Sequence, residues 1–117
     1  MIWLFIAISG AIAVIMGALG AHALIGVIDA KDIERVVTAS TYQMYHTILL
    51  AVLASFEYRL NNARASIWIF SIAIVLFSGS LYLFAFTQIT LFSYVTPVGG
   101  LLFILGWLSL VRLKNRF

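Results

Sequence analysis

Four long runs of apolar residues, separated by short polar stretches, account for most of the chain. An apolar run of about 20 residues is long enough for a helix to cross the hydrocarbon core of a bilayer. The pattern therefore predicts four transmembrane helices in a compact bundle. They cover about residues 2–24, 30–58, 65–86 and 97–113.

The second of these helices is longer than a bilayer requires. Asp29 is suited to be its N-cap, and Asp32, three residues later, makes an imperfect capping box. From there the segment runs to Tyr58 without Gly or Pro, a length of roughly 45 Å. Its first turns, about Ala30–Ala39, are therefore expected in the headgroup layer.

The fourth helix has two alternative starts. Thr96 can act as an N-cap with Pro97 at the first helical position, which is the simpler interpretation. That start leaves a short span, so either the stretch before it (LFSYV) lies at the membrane interface, or the helix begins earlier and kinks at Pro97.

Small residues recur on the first and fourth helices. They are Ser9, Ala13, Gly17 and Ala21 on the first, with Gly99 and Gly106 on the fourth. Small residues at such spacing let helix backbones approach closely in lipid. The pattern indicates either packing within the chain, which we favour, or a contact between subunits.

The composition agrees with a membrane protein. Of 117 residues, 64% are hydrophobic and 9% charged, with a mean hydropathy of +1.13. A soluble domain of this composition would expose too much apolar surface. The chain contains no cysteine, and its net charge of +3 gives no reason to expect a nucleic-acid partner. The expected surroundings are the lipid bilayer of the cell (inner) membrane.

The distribution of basic residues predicts the orientation. The turn after the second helix and the C-terminal tail carry Arg59, Arg64, Arg112, Lys114 and Arg116. The opposite side has only Lys31 and Arg35, beside three acidic residues. The positive-inside rule then puts both termini in the cytoplasm. No basic residue precedes the first run, so we expect that run to be a retained helix rather than a cleaved signal peptide.

Polar groups within the predicted spans are the candidates for chemistry, because such groups are costly in lipid. The outer half of the second helix holds most of them, and neighbouring helices supply the rest. The candidate polar site consists of His22, Tyr42, Gln43, Tyr45, His46, Ser78 and Tyr82. It is either a binding site or a set of interhelical hydrogen bonds, and we favour the second interpretation.

Catalytic and metal sites find little support in the sequence. His22 and His46 could bind a haem or a metal, but their expected depths differ and no third ligand lies nearby. Ser78 and Ser80 have no evident base. We therefore expect no metal, no cofactor and no enzymatic activity.

Four sequence blocks resemble a known family. They are GALGAHAL (Gly17–Leu24), YQMYH (Tyr42–His46), FSGSLY (Phe77–Tyr82) and TPVGGLLFILGW (Thr96–Trp107). One block per helix, in this order, is similar to the YgdD/YwdK-like family of small bacterial membrane proteins of unknown function. The resemblance implies a four-helix inner-membrane protein and supplies no activity. It implies that all the candidate polar residues except Gln43 deserve attention, together with Ser80, Thr96 and Pro97.

Three functional hypotheses remain open. The first is a non-enzymatic membrane component that forms a homo-oligomer or joins a larger membrane complex. The second is a small oligomeric transporter or channel lined by polar residues of the second and third helices. The third is a haem- or metal-binding redox accessory that uses His22 and His46.

Overall fold

The computed structural model describes residues 1–115, which form four long helices and a small two-stranded sheet. The helices are α1 (Ile2–Ala18), extended by a wide π turn over Leu19–Ala23, α2 (Ala30–Ser55), α3 (Ala63–Thr87) and α4 (Thr90–Ser109). Short 3₁₀ turns, Glu57–Arg59 and Leu110–Arg112, follow α2 and α4 and precede strands β1 (Leu60–Asn61) and β2 (Lys114–Asn115). Arg116 of the predicted basic tail lies outside the described residues.

The predicted fold class is confirmed. All four helices are long and apolar enough to span a membrane, and the molecule is compact, with a radius of gyration of 15.3 Å. Neighbours in sequence are neighbours in space, because α1 packs on α2, α2 on α3, and α3 on α4. The central helices α2 and α3 are therefore the most buried of the four.

The fourth helix begins at Thr90, so the start predicted at Thr96 and Pro97 is wrong, and the alternative is right in its earlier start. Pro97 lies inside the helix, and the Thr96 hydroxyl faces Ser80 Oγ at 2.5 Å. The helix begins early because a helix from Pro97 would be too short to span the hydrocarbon core. A helix that began at Pro97 would leave irregular backbone with unpaired polar groups at membrane depth, whereas the continuous helix pairs them.

The segment between α2 and α3 (residues 56–62), which we call loop two, meets the C-terminal tail at one end of the bundle. Strand β1 pairs antiparallel with β2, with Leu60 opposite Asn115. The Asn62 side chain donates a hydrogen bond to the Arg112 carbonyl at 3.0 Å. The N-terminus lies at the same end, where Met1 shares a cavity with Glu57 of loop two and Arg64 at the start of α3. Both termini therefore lie at one end, and the assignment of that end to the cytoplasm stays a prediction.

The small residues of α4 allow a close approach to α3. A Cβ atom added to Gly99 would lie 2.7 Å from the Phe77 Cα atom. One added to Gly106 would lie 2.7 Å from a ring carbon of Phe70. Real Cβ atoms do not come so close to other heavy atoms, so both glycines are needed for this packing distance.

The small residues of α1 face α2, with one exception. Ser9 and Ala13 are buried, and Gly17 lies against Ser40, but Ala21 is exposed. A step of four residues turns a helix by about 40° beyond one revolution, so three steps carry Ala21 off the shared face. Gly20 is buried in its place.

Candidate functional site

The buried amide of Gln43 connects three helices. Its Nε2 atom donates to the Ser9 carbonyl and to Ser9 Oγ, each at 3.1 Å. Its Oε1 atom accepts a hydrogen bond from the Tyr82 hydroxyl at 2.6 Å. Ser9 Oγ in turn lies 2.7 Å from Thr47 Oγ1. A hydrogen-bonded chain thus runs from α3 through α2 to α1.

The partners of Gln43 determine which way its amide points. The Ser9 carbonyl can only accept a hydrogen bond, so the amide NH₂ group must face α1. That leaves Oε1 for the Tyr82 hydroxyl on α3. Every polar atom of the amide therefore has a partner within the chain, and the group acts as a cross-link between helices.

His46 lies in a separate cluster, between α2, α3 and α4. Its ring stacks on Phe103 with 3.8 Å between ring centroids, and Phe70 lies at 5.7 Å. Trp107 approaches edge-on and donates its Nε1–H to His46 Nε2 at 3.0 Å. The Tyr42 ring lies on the open side of the cluster and is 42% exposed.

The two hydrogen bonds of His46 fix its tautomer. The Trp107 indole N–H can only donate, so His46 Nε2 must carry a lone pair. The proton is then on Nδ1, which donates to the Tyr42 carbonyl at 2.6 Å. A protonated His46 could not accept from Trp107, so this arrangement requires the neutral ring. Both nitrogens are occupied, and binding of haem or metal would have to break one of these bonds.

His22, His46 and Tyr82 do not lie together, although all three belong to the candidate polar site. His22 is exposed at the far end of α1, whereas His46 is buried nine residues before the end of α2 at Ser55. Tyr82 belongs to the Gln43 network on the side of α1. His22 lies just before the loop that leads into α2, whereas His46 lies sixteen residues, or about 24 Å, along α2 from its start at Ala30.

Ser78 and Tyr45 have different roles in the packing. The Ser78 hydroxyl is buried and donates to the Ala39 carbonyl of α2 at 2.8 Å. Tyr45 points away from the bundle and is 63% exposed. The seven candidate residues do not surround one cavity. Gln43, Ser78 and Tyr82 line a cavity between α1, α2 and α3, Tyr42 and His46 belong to the aromatic cluster, and His22 and Tyr45 are exposed.

At the end of the bundle opposite the termini, a buried ionic contact that the sequence analysis missed joins the start of α2 to the end of α3. Asp32 is buried, accepts from Arg35 at 2.6 Å, and accepts from the Gln88 side chain at 2.9 Å. Gln88 has a left-handed backbone at the C-terminus of α3, where it also donates to the Phe84 carbonyl. The sequence does contain a signal for this contact, because Asp32 lies on the same face of α2 as the apolar residues Val36 and Ala39.

The buried polar groups are satisfied throughout the described chain. Among residues 1–115, no buried side-chain nitrogen or oxygen lacks a hydrogen-bond partner. The same residues contain no group of three or more His, Cys, Asp or Glu side chains that could hold a metal ion. Among these residues, the buried polar side chains are therefore paired with each other or with backbone atoms, as in hydrogen bonds that join helices.

These features define a class: a small, multi-pass α-helical membrane protein whose helices are joined by buried hydrogen bonds. A family described as a protein of unknown function, DUF423, matches residues 16–100. The chain belongs to this family, and the resemblance predicted from the four sequence blocks is confirmed.

Individual relatives support the assignment. A UPF0382 membrane protein of Haemophilus influenzae is 42% identical over 106 residues, 90% of this chain and 86% of the relative. The UPF0382 inner membrane protein YgdD of Escherichia coli K12 is 39% identical over 123 residues, 97% and 91% of the two chains. No solved structure matches the chain. None of these names states an activity.

Proposed function

We propose that the protein is a non-enzymatic membrane component that acts by associating with other membrane proteins, either further copies of itself or the subunits of a larger complex. The non-enzymatic part of the proposal is supported by the polar interior. The Gln43 amide has all its partners inside the chain, and both nitrogens of His46 are engaged. Neither group is available as an acid, base or ligand.

The observation that carries the association is the position of Tyr45. Its side chain is 63% exposed, and its hydroxyl forms no hydrogen bond among residues 1–115. Tyr45 lies ten residues before the end of α2 at Ser55, a distance of about 15 Å. The hydrocarbon core is about 30 Å thick, so Tyr45 lies near its middle.

A hydroxyl group in that position is costly unless it has a partner. Leaving one unpaired in an apolar medium costs about 1–3 kcal/mol by mutational measures. Polar side chains within membranes accordingly face protein rather than lipid. Contact with another protein chain would supply both a hydrogen-bond partner for Tyr45 and cover for Tyr42 beside it.

This surface differs from the one that small residues suggested. Gly99 and Gly106 are used against α3, and Ser9 and Ala13 are buried against α2. The faces that looked suited to self-association are therefore occupied inside the chain. The face of α2 that carries Tyr45 is the better candidate for a contact.

Native mass spectrometry in mild detergent tests the proposal. We expect oligomers or a co-purifying membrane protein for the natural chain, and a lower associated fraction for Tyr45→Phe, which removes only the hydroxyl. Tyr94→Phe is the matched control, because Tyr94 is 70% exposed but lies near the start of α4. A strictly monomeric natural protein without a partner would refute the proposal, as would equal effects of the two variants.

A further inference from the structure

A cavity of about 360 Å³ lies beside the first turns of α2, at the end of the bundle opposite the termini. Its lining consists of Lys31, Glu34, Arg35 and Thr38 from α2, with Leu81 from α3. Two cations and one anion thus border a single space, directly above the apolar part of the membrane span. These residues belong neither to the Gln43 network nor to the His46 cluster.

The Arg35 guanidinium is held in place at the edge of this cavity. One Nη atom binds Asp32 at 2.6 Å, and the group lies over the Phe84 ring, 4.7 Å from its centroid. Arginine has five N–H groups, and among residues 1–115 only one of them has a hydrogen-bond partner. The side chain is 33% exposed, so its remaining donors are accessible to a ligand.

The charges around the cavity have the pattern that a zwitterionic headgroup would match. Arg35 and Lys31 can bind a phosphate, which the positive end of the α2 dipole also favours. The Glu34 carboxylate lies on the same face and can accept hydrogen bonds from an ammonium group. Below them, Thr38 and the apolar Leu81 lead into the hydrocarbon region.

We propose that this cavity binds one phospholipid whose headgroup has both a phosphate and a primary ammonium, as in phosphatidylethanolamine. The phosphate binds Lys31 and Arg35, the ammonium binds Glu34, and an acyl chain lies over Thr38 and Leu81. A quaternary ammonium has no N–H to donate, and a glycerol headgroup has no cation for Glu34. The site therefore discriminates among lipids with equal acyl chains. It does not depend on the proposed association through Tyr45.

The test uses the full chain in mild detergent with an equimolar mixture of phosphatidylethanolamine, phosphatidylglycerol and phosphatidylcholine that have identical acyl chains. Native mass spectrometry measures the bound lipid. We expect one phosphatidylethanolamine in preference to the other two, and about a fivefold loss of binding for Lys31→Gln or Glu34→Gln. Arg35 is left unchanged because it also binds Asp32.

The controls are two single substitutions that remove one acidic and one basic charge at the other end of the bundle, Glu57→Gln and Lys114→Gln, and each should leave binding unchanged. Equal binding of the three lipids, or equal losses in control and test variants, would overturn the proposal, because it would show general contact with lipid. Displacement of the lipid by millimolar inorganic phosphate would overturn it too, because the site would then bind a free anion.

Discussion

At the scale of single residues, the interior is built from hydrogen bonds that cross between helices. Gln43 binds Ser9 and Tyr82, and Trp107 donates to His46. In lipid there is little hydrophobic force between helices, so packing and such hydrogen bonds must hold them together. One average bond contributes about 0.6 kcal/mol in a membrane protein, so a residue that makes several is a sensitive position.

Replacing Gln43 with leucine should destabilise the protein by about 1–3 kcal/mol, because the Tyr82 hydroxyl loses its partner in the interior and Ser9 Oγ keeps only Thr47 Oγ1. Unfolding in a detergent titration, followed by circular dichroism, measures the change. Thr41→Val is the control, since the Thr41 hydroxyl bonds only to the Val37 carbonyl of its own helix. Equal losses for the two variants would show that the cross-links between helices do not stabilise the fold.

At the scale of elements, glycine positions determine how closely α4 approaches α3. Gly99 lies against the backbone of Phe77, whereas the neighbouring Gly100 has ordinary contacts, because a Cβ atom added there would lie 3.7 Å from the Phe77 ring. The two glycines are adjacent in sequence but differ in space, because successive helical residues are turned by about 100°. Adding a methyl group at Gly99 and at Gly100 therefore compares a crowded position with an uncrowded one in the same helix.

Gly99→Ala should destabilise the protein by about 1–3 kcal/mol, because backbone atoms of Phe77 cannot move away without shifting the whole of α3. Gly100→Ala should be neutral or stabilise by up to about 1 kcal/mol through its greater helix propensity. The same detergent titration compares them. A Gly99→Ala variant as stable as Gly100→Ala would mean that the two helices are farther apart than described.

At the scale of the whole molecule, the two ends of the bundle differ in how they are closed. At one end, strands β1 and β2 join loop two to the C-terminal tail. At the other, Asp32 binds Gln88 and so joins the start of α2 to the end of α3. The basic residues lie mainly at the first end, and the positive-inside rule predicts that this end is cytoplasmic.

Single cysteines introduced into this cysteine-free chain test the orientation. Val27→Cys, in the exposed loop between α1 and α2, should react with a membrane-impermeant maleimide in intact cells. Asn61→Cys, in loop two, should react only after the membrane is permeabilised. The opposite labelling pattern would show that the bundle is inserted with its termini outside.

The sequence by itself determined the membrane setting, the number of helices and the family, because apolar runs of sufficient length and the four sequence blocks need no knowledge of contacts. Tertiary structure alone decided the partners of the polar residues. Gln43 and His46 are three residues apart, which leaves them only about 60° apart around α2, yet Gln43 bonds to α1 and α3 whereas His46 accepts from Trp107 of α4. The depth of α2 then decided that His46 meets Trp107 rather than His22. The residue pattern along α2 could not reveal the partners of Gln43 or of His46, because both depend on where the other helices lie.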